Sequence, residues 1–232
     1  MININRSCTY LVWIFFLLNF LCYRSVYSQD NHVHKESNSN ISNDSLKLLN
    51  QQFDQEWNKW RDSLFELDIN KNMLIGEIGA GNGEFSFLLS MRVGPKGHVY
   101  ANEVDQSKIH IIKDLIRENS INNMSVLSGA EDDALFPVDN LDMALMVEVY
   151  HHISNPNTFF NNLIKYFAKN GQIVIIDPDV HQPGGSLDGC YSDPDSTKSL
   201  LAKLGYSNVR INYKNISDLK LYVLSANCPM TE

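Results

Sequence analysis

Short apolar runs alternate with amphipathic segments along most of the chain. Apolar strands that alternate with helices require a largely parallel sheet covered on both faces, so the pattern predicts an α/β fold. Ahead of the first strand, apolar side chains at three- and four-residue spacing predict a helix from Ser45 to about Leu67. The predicted strands are Met73–Ile78, His98–Glu103, Met124–Ser128, Leu141–Val147, Ile173–Ile176, Val209–Tyr213 and Leu219–Ala226, and the predicted later helices are Glu84–Met91, 105–119, Asn157–Ala168 and Ser196–Leu204.

Turn and cap residues set the boundaries of these elements. The connection Lys214–Asp218 is too short for a helix, so the last two strands are predicted to form an antiparallel hairpin. Asp105 is placed to cap the helix that follows it. Gly171 is expected to end the helix that begins at Asn157, and Gly205 is expected to end the last helix.

The first 28 residues have the pattern of a secretory signal peptide. An apolar run from Tyr10 to Cys22 is shorter than the roughly 20 residues that cross a bilayer. Small side chains at Val26 and Ser28 predict cleavage after Ser28, and hence export. Arginines flank the run on both sides, so an uncleaved membrane anchor is the alternative, with the domain facing either side of the membrane.

Composition separates a polar linker from a folded domain. Residues 29–44 contain little that can pack, whereas 45–228 carry the strand and helix pattern.

A formal net charge of −8 argues against a nucleic acid as partner. After cleavage the chain would keep Cys190 and Cys228, which an oxidising compartment could pair or which could remain free thiols.

A glycine loop between the first strand and the next helix is the most informative segment. Gly79, Gly81 and Gly83 allow a tight turn and close backbone approach to a ligand. A dinucleotide-binding site is disfavoured, because its fingerprint needs a further glycine at the position of Glu84. A phosphate-binding P-loop is excluded, because no Gly-Lys-Ser/Thr follows the glycines. Together with Glu77, Glu84 would repel a pyrophosphate and would suit a ligand that carries positive charge.

Later strand ends carry further polar groups. Glu103 ends the second strand about 20 residues past the glycine loop, where an acid can accept hydrogen bonds from ribose hydroxyls. The polar turn Ser128–Pro137 follows the third strand and could meet the edge of an adenine. The fourth strand leads into Glu148-Val-Tyr-His-His-Ile153.

These motifs, in this order over about residues 45–226, resemble class I S-adenosylmethionine-dependent methyltransferases. The likeness is greatest to exported or membrane-associated bacterial members. The resemblance implies a Rossmann-like, seven-stranded, mostly parallel sheet with a C-terminal antiparallel hairpin and helices on both faces. It also implies S-adenosyl-L-methionine as cofactor and the following binding residues: Glu77, Gly79, Gly81 and Gly83 at the methionine end, Glu103 at the ribose, and Glu131 or Asp132, with Asp133 as a weaker third choice, near the adenine amino group.

The segment after the fourth strand supplies the candidate catalytic residues, which are Glu148, His151 and His152. One histidine could act as a general base near neutral pH, and the alternative is that the turn only packs against the next helix. No metal is expected, because a set drawn from these histidines, His181 and Cys190 lacks a metal-ligand spacing. The long loop 177–194 is assigned to acceptor recognition, or is a plain connector.

The leading hypothesis for function is methyl transfer by in-line displacement to a small molecule or an exposed protein group. The alternative is a non-catalytic module that keeps the fold and binds S-adenosylmethionine or a related nucleoside. A nicotinamide-dependent oxidoreductase is disfavoured by Glu84 in the glycine loop. The acceptor itself is not predicted.

Overall fold

The fold is described from a computed structural model over residues 67–186, 191–216 and 219–229. The predicted signal peptide (1–28), the linker (29–44) and nearly all of the first predicted helix lie outside these residues, so export and membrane association stay predictions. Within the described ranges, no helix is both long and apolar enough to cross a membrane. Cys228 is a buried free thiol, while Cys190 lies outside the described part.

The described residues form one seven-stranded sheet flanked by helices, which confirms the predicted fold class. In chain order the elements are β1 Leu74–Ile78, α1 Glu84–Val93, β2 His98–Glu103, α2 Gln106–Glu118, β3 Met124–Ser128, β4 Leu141–Val147, a 3₁₀ turn Tyr150–His152, α3 Pro156–Leu163, a 3₁₀ turn Ile164–Tyr166, β5 Phe167–Pro178, α4 Pro194–Lys203, β6 Ser207–Ile216 and β7 Leu219–Asn227.

Strand order places the candidate site. The sheet order is β3-β2-β1-β4-β5-β7-β6, with β1 to β5 parallel and β7 antiparallel to both β5 and β6. The predicted antiparallel ending is therefore confirmed. The order reverses between β1 and β4, and a crevice forms at such a point beyond the carboxyl ends of the strands. The glycine loop and the segment after β4 thus meet at one edge.

Two apolar cores cover the two faces of the sheet. Alternate side chains of β4 enter opposite cores, with Ala144 and Met146 on one face and Met143 and Leu145 on the other. Helices α3 and α4 cover the first face, whereas α1 and α2 cover the second. Each fully buried aliphatic side chain of this kind contributes about 1.5–3 kcal/mol, so the sheet is a rigid base for the loops at its edge.

The prediction for the helix beginning near Asn157 is wrong at its end. The α-helix stops at Leu163 and a 3₁₀ turn follows, and β5 already begins at Phe167, which pairs with Leu141. Gly171 lies inside this strand rather than ending a helix. A Cβ atom at Gly171 would lie 2.6 Å from the carbonyl oxygen of Leu141, so glycine is required there by close backbone approach.

Other boundaries shift by a few residues. Helix α1 ends at Val93, two residues beyond the predicted end, where Gly94 with φ 72° donates its N–H to the Ser90 carbonyl. Asp105 caps α2 as predicted, since its side chain accepts the Ser107 N–H at 2.8 Å. Helix α4 begins at Pro194, because Asp193 caps it by accepting the N–H of Asp195.

We expect Gly171→Ala to lower the free energy of unfolding by about 1–3 kcal/mol, because the added methyl group must push the Leu141 backbone away. Urea unfolding followed by circular dichroism measures the change. Lys169→Ala on the same strand removes an exposed side chain and should stay within about 0.5 kcal/mol of wild type. Equal stability of the two variants would contradict the packing explanation.

Candidate active site

The glycine loop leaves β1 through three residues with left-handed backbone. The φ angles are 71° at Gly79, 60° at Gly81 and 86° at Gly83. The N–H of Gly83 donates to the carbonyl of Ala80 at 2.9 Å, which closes the turn, and Gly83 then caps the start of α1. Side chains rarely adopt such angles, so the sequence bends here only because it is glycine-rich.

The loop glycines differ in what surrounds them. A Cβ atom at Gly79 would collide with Val149, which follows β4, and one at Gly83 would lie 2.9 Å from Ile112 Cγ1 of α2. At Gly81, no described atom lies within 4 Å of the corresponding position. Gly79 and Gly83 therefore pack tightly, while Gly81 presents bare backbone to open space that a ligand can occupy.

Glu103 connects the end of β2 to this loop. Its side chain is buried, and Oε2 accepts the N–H of Gly81 at 2.8 Å. Oε1 accepts the N–H groups of Val104 at 2.8 Å and Asp105 at 3.1 Å. A carboxylate offers about four acceptor positions, so Glu103 keeps capacity for one more donor, and its predicted contact with a ribose hydroxyl stays a prediction.

Glu77 lies at the base of the loop. It is buried near the end of β1, and the hydroxyl of Ser86 on α1 donates to its Oε2. The carboxylate is therefore fixed between β1 and the helix that follows the glycine loop. Its predicted role at the ammonium end of the cofactor is compatible with this position and stays a prediction.

The three acidic residues of the turn after β3 have different surroundings. Glu131 and Asp132 are exposed, as a role at the adenine edge requires. Asp133 instead accepts hydrogen bonds from Lys165 Nζ and Tyr166 Oη, both at 2.6 Å. Burial opposes ionisation, yet these two hydrogen bonds hold the pKa of Asp133 below its usual value. Asp133 supports the turn, which leaves Glu131 and Asp132 as the candidates.

Two exposed apolar side chains, one after β2 and one in the turn after β3, were not singled out from the sequence. Val104 directly follows Glu103 and is 57% exposed, and Leu135 in the turn after β3 is 50% exposed. Large apolar side chains at a polar strand edge are available to cover the face of a planar ligand. The available signal was an apolar residue immediately after the predicted ribose ligand.

His151 is paired with Asp177 at the ends of two adjacent strands. Its Nδ1 lies 2.9 Å from Asp177 Oδ1 and 3.1 Å from Oδ2. Both side chains are almost fully buried, at 5% and 0% exposure. The turn after β4 supplies the histidine and β5 supplies the carboxylate, so the pairing depends on the parallel β4–β5 contact.

The structure places Glu148 beside this pair in a strained backbone conformation. Its φ angle is 54°, which is uncommon for a residue with a side chain and costs on the order of 1–3 kcal/mol. Burial and the charge of Asp177 raise the pKa of Glu148 to about 7, against a smaller opposing effect of His151. Strain and a perturbed carboxyl group together are typical of functional sites.

His152 contacts His151 with its ring tilted by 53° but differs from it in environment. The ring centroids are 4.0 Å apart, and His152 is exposed. Partial desolvation and the neighbouring His151 lower the pKa of His152 below its usual value. His181 lies apart and pairs with Asp179 at 3.0 Å, and the described residues contain no cluster of metal-ligating side chains.

The pairing of Asp177 with His151 was missed from the sequence, as were its neighbours Ser192 and Tyr222. Asp177 could have been found, because it ends an apolar strand at the edge where the other candidates lie. Tyr222 gave no signal, since a tyrosine within a strand is ordinary.

Residues 69–191 match the family model described as a methyltransferase domain, just over half of the 232-residue chain. A demethylmenaquinone methyltransferase of Listeria welshimeri is 18% identical over 120 residues, and the match covers 51% of each chain. The chain thus spans about half the length of this curated relative.

Solved structures share the architecture. A SAM-dependent methyltransferase of Aquifex aeolicus aligns with TM-score 0.62 and 19% identity, over 77% of this chain and 98% of that chain. The [4+2]-cyclase SpnF aligns with TM-score 0.60 and 10% identity, over 78% of this chain and 82% of its own. At these identities the likeness extends to the fold alone. With the matched domain, the sheet order and the glycine loop in agreement, this chain belongs to the methyltransferase-domain family, among the class I members that use S-adenosylmethionine.

Proposed function

We propose that the protein transfers the methyl group of S-adenosylmethionine to a small molecule that loses its O–H or C–H proton to His151. The observation that carries this proposal is the buried His151–Asp177 pair at the strand edge that holds the glycine loop. A histidine held by a carboxylate is a frequent arrangement for a general base.

The residues at the edge fit the cofactor. When bound, S-adenosylmethionine supplies a reactive methyl group on a positively charged sulfur. The open position at Gly81 gives room for backbone contact, and Glu103 can accept from a ribose hydroxyl. Carboxylates surround the loop, which has no features of a diphosphate-binding site. Their negative charge suits a cationic ligand.

Asp177 fixes which nitrogen of His151 can accept a proton. A carboxylate only accepts hydrogen bonds, so Nδ1 of His151 must donate to it. In the neutral ring Nε2 then carries the lone pair and can take the acceptor's proton. The acceptor atom forms its bond to the methyl carbon as the bond from carbon to sulfur breaks, and holding the two groups in line can supply most of the catalysis.

Glu148 indicates the kind of acceptor. With a pKa of about 7, a large fraction of Glu148 is protonated at neutral pH and can donate a hydrogen bond. A donor beside a base suits a molecule whose ionisable hydroxyl or C–H group is conjugated with a carbonyl oxygen, such as a hydroxyquinone or the enol of a 1,3-dicarbonyl compound. The name of the Listeria welshimeri relative, a demethylmenaquinone methyltransferase, supports an acceptor of this class.

One alternative follows from a specific observation. A cyclase shares the fold, so binding of S-adenosylmethionine without methyl transfer is the second candidate function. The net charge of −8 disfavours nucleic acid in either case.

Gly81→Val should weaken binding of S-adenosylmethionine and S-adenosylhomocysteine more than tenfold, since the side chain would fill the open position. Isothermal titration calorimetry on the full chain gives the affinities. Gly184→Val is the matched control, because Gly184 has φ 80° and equally open surroundings but lies in the loop after β5. We expect its affinity to change less than twofold. Absence of binding by folded wild type would remove both candidate functions.

His151→Gln should slow product formation by about 10²–10⁴-fold, the usual contribution of a general base. His152→Gln should cost less than tenfold, because His152 lacks the carboxylate partner. The assay incubates the enzyme with a methyl-labelled donor and fractionated metabolites, and mass spectrometry detects labelled products. S-adenosylhomocysteine affinity of both variants should stay within twofold of wild type. Wild type that binds the cofactor and labels nothing would favour the non-catalytic module.

Glu148→Gln should flatten the dependence of stability on pH. The pKa of Glu148 is raised from 4.5 to about 7 on folding, so its favourable contribution is complete below pH 4.5 and is lost as pH rises through 7. The loss amounts to about 3 kcal/mol. Urea unfolding between pH 4.5 and 8 tests this, with Asp139→Asn, an exposed site, as control. An unchanged slope in Glu148→Gln would refute the assignment.

A further inference from the structure

We infer that Ser192 and Tyr222 are positioning residues that hold Asp177 and thereby fix the proton on Nδ1 of His151. The inference rests on the proposed function, because it concerns the base that would take the acceptor's proton. It adds two side chains whose hydrogen bonds reach Asp177 directly or through one another.

A continuous row of hydrogen bonds joins the four side chains. The hydroxyl of Ser192 donates to Asp177 Oδ2, on the carboxylate that also binds His151. The oxygen atoms of Ser192 and Tyr222 are 2.7 Å apart. Ser192 is 5% exposed and Tyr222 is fully buried, so water does not compete for these bonds.

The direction of each bond follows from the chemistry of its groups. Asp177 can only accept, so the hydroxyl proton of Ser192 points to it. Ser192 has then used its one proton, so in the bond between the two hydroxyls Tyr222 is the donor, while the Tyr222 hydroxyl also interacts with Thr197. Burial and the nearby charge of Asp177 raise the pKa of Tyr222 above its usual value, so this hydroxyl keeps its proton. Every proton in the row is therefore assigned, and Nδ1 of His151 is left as a donor.

The backbone around Ser192 fixes its hydroxyl in place. The N–H of Ser192 donates to the carbonyl of Pro178 at 3.0 Å, and the N–H of Val180 donates to the carbonyl of Ser192 at 3.1 Å. These bonds hold the segment that enters α4 against the end of β5. The start and the end of the loop assigned to acceptor recognition are thus joined beside the carboxylate that orients the base.

Four separate elements contribute one group each to this row. His151 comes from the turn after β4, Asp177 from β5, Ser192 from the segment before α4, and Tyr222 from β7. A buried polar network of this kind is costly unless each member is satisfied. Here each group has a partner. The effect of the arrangement is to hold the carboxylate of Asp177 in one orientation.

The chain offers a matched control for Tyr222. Tyr206 is also buried, and its hydroxyl donates to the backbone carbonyl of Phe160 at 2.9 Å. Tyr206→Phe therefore removes a buried tyrosine hydroxyl and its hydrogen bond without touching Asp177. A loss of stability alone would be similar in the two variants, whereas an effect on His151 would be confined to Tyr222→Phe.

The test uses ¹⁵N-histidine-labelled full-length protein and NMR at neutral pH. The His151 signals are assigned by their loss in His151→Gln, and ¹⁵N shifts report which ring nitrogen is protonated. We expect wild type to carry the proton on Nδ1, with slow exchange against water. Tyr222→Phe and Ser192→Ala should exchange this proton at least tenfold faster, Ser192→Thr should restore slow exchange, and Tyr206→Phe should stay within twofold of wild type.

Either of two results would overturn the inference: a wild-type proton on Nε2, or equal exchange in Tyr222→Phe and Tyr206→Phe. If Tyr222→Phe does not fold, Ser192→Ala against Ser192→Thr decides. Calorimetry of the same samples with S-adenosylhomocysteine separates the two proposals. Binding with unchanged exchange in the variants rejects only the positioning role, whereas a slow Nδ1 proton without binding rejects only the proposed function.

Discussion

The hydrogen bonds to the carboxylate of Glu103 hold the cofactor edge of this protein together. Because β1 and β2 are parallel neighbours, their ends lie side by side, and Glu103 reaches across to the N–H of Gly81. It also accepts the N–H groups of Val104 and Asp105. Leaving such groups buried without partners would cost about 1–3 kcal/mol each. The glycine loop is thus held in shape before any ligand arrives, which lowers the entropic cost of binding.

The same edge gathers acidic side chains, and the fold accommodates each in a different way. Glu77 is bound by the Ser86 hydroxyl, Glu103 by backbone N–H groups, and Asp177 by His151. Burial and the charge of Asp177 raise the pKa of Glu148 to about 7, so this carboxyl group can take up a proton near neutral pH. A cluster of carboxylates that is satisfied locally but remains acidic overall is complementary to a cationic sulfur and unfavourable to a diphosphate.

Local features of the sequence were sufficient where one segment determines its own structure. The glycine loop, the Asp105 cap and most strands follow from periodicity and turn residues. Prediction failed where contacts with segments distant in the sequence determine the local structure. Gly171 looked like a helix end, yet its role is set by the Leu141 carbonyl, which the local pattern does not reveal. The His151–Asp177 pair likewise depends on a strand contact across 26 positions of sequence.

The architecture leaves the reaction open, since a cyclase and a methyltransferase both share it. A glycine loop with an acid at the end of β2 is the predicted cofactor site, and it does not specify which reaction follows binding. The groups that can move a proton lie instead after β4 and β5, on the far side of the switch point from Glu103. Among the described residues, we therefore expect His151, Glu148 and Ser192 to influence the proposed reaction more than cofactor binding, because they lie apart from the glycine loop and Glu103.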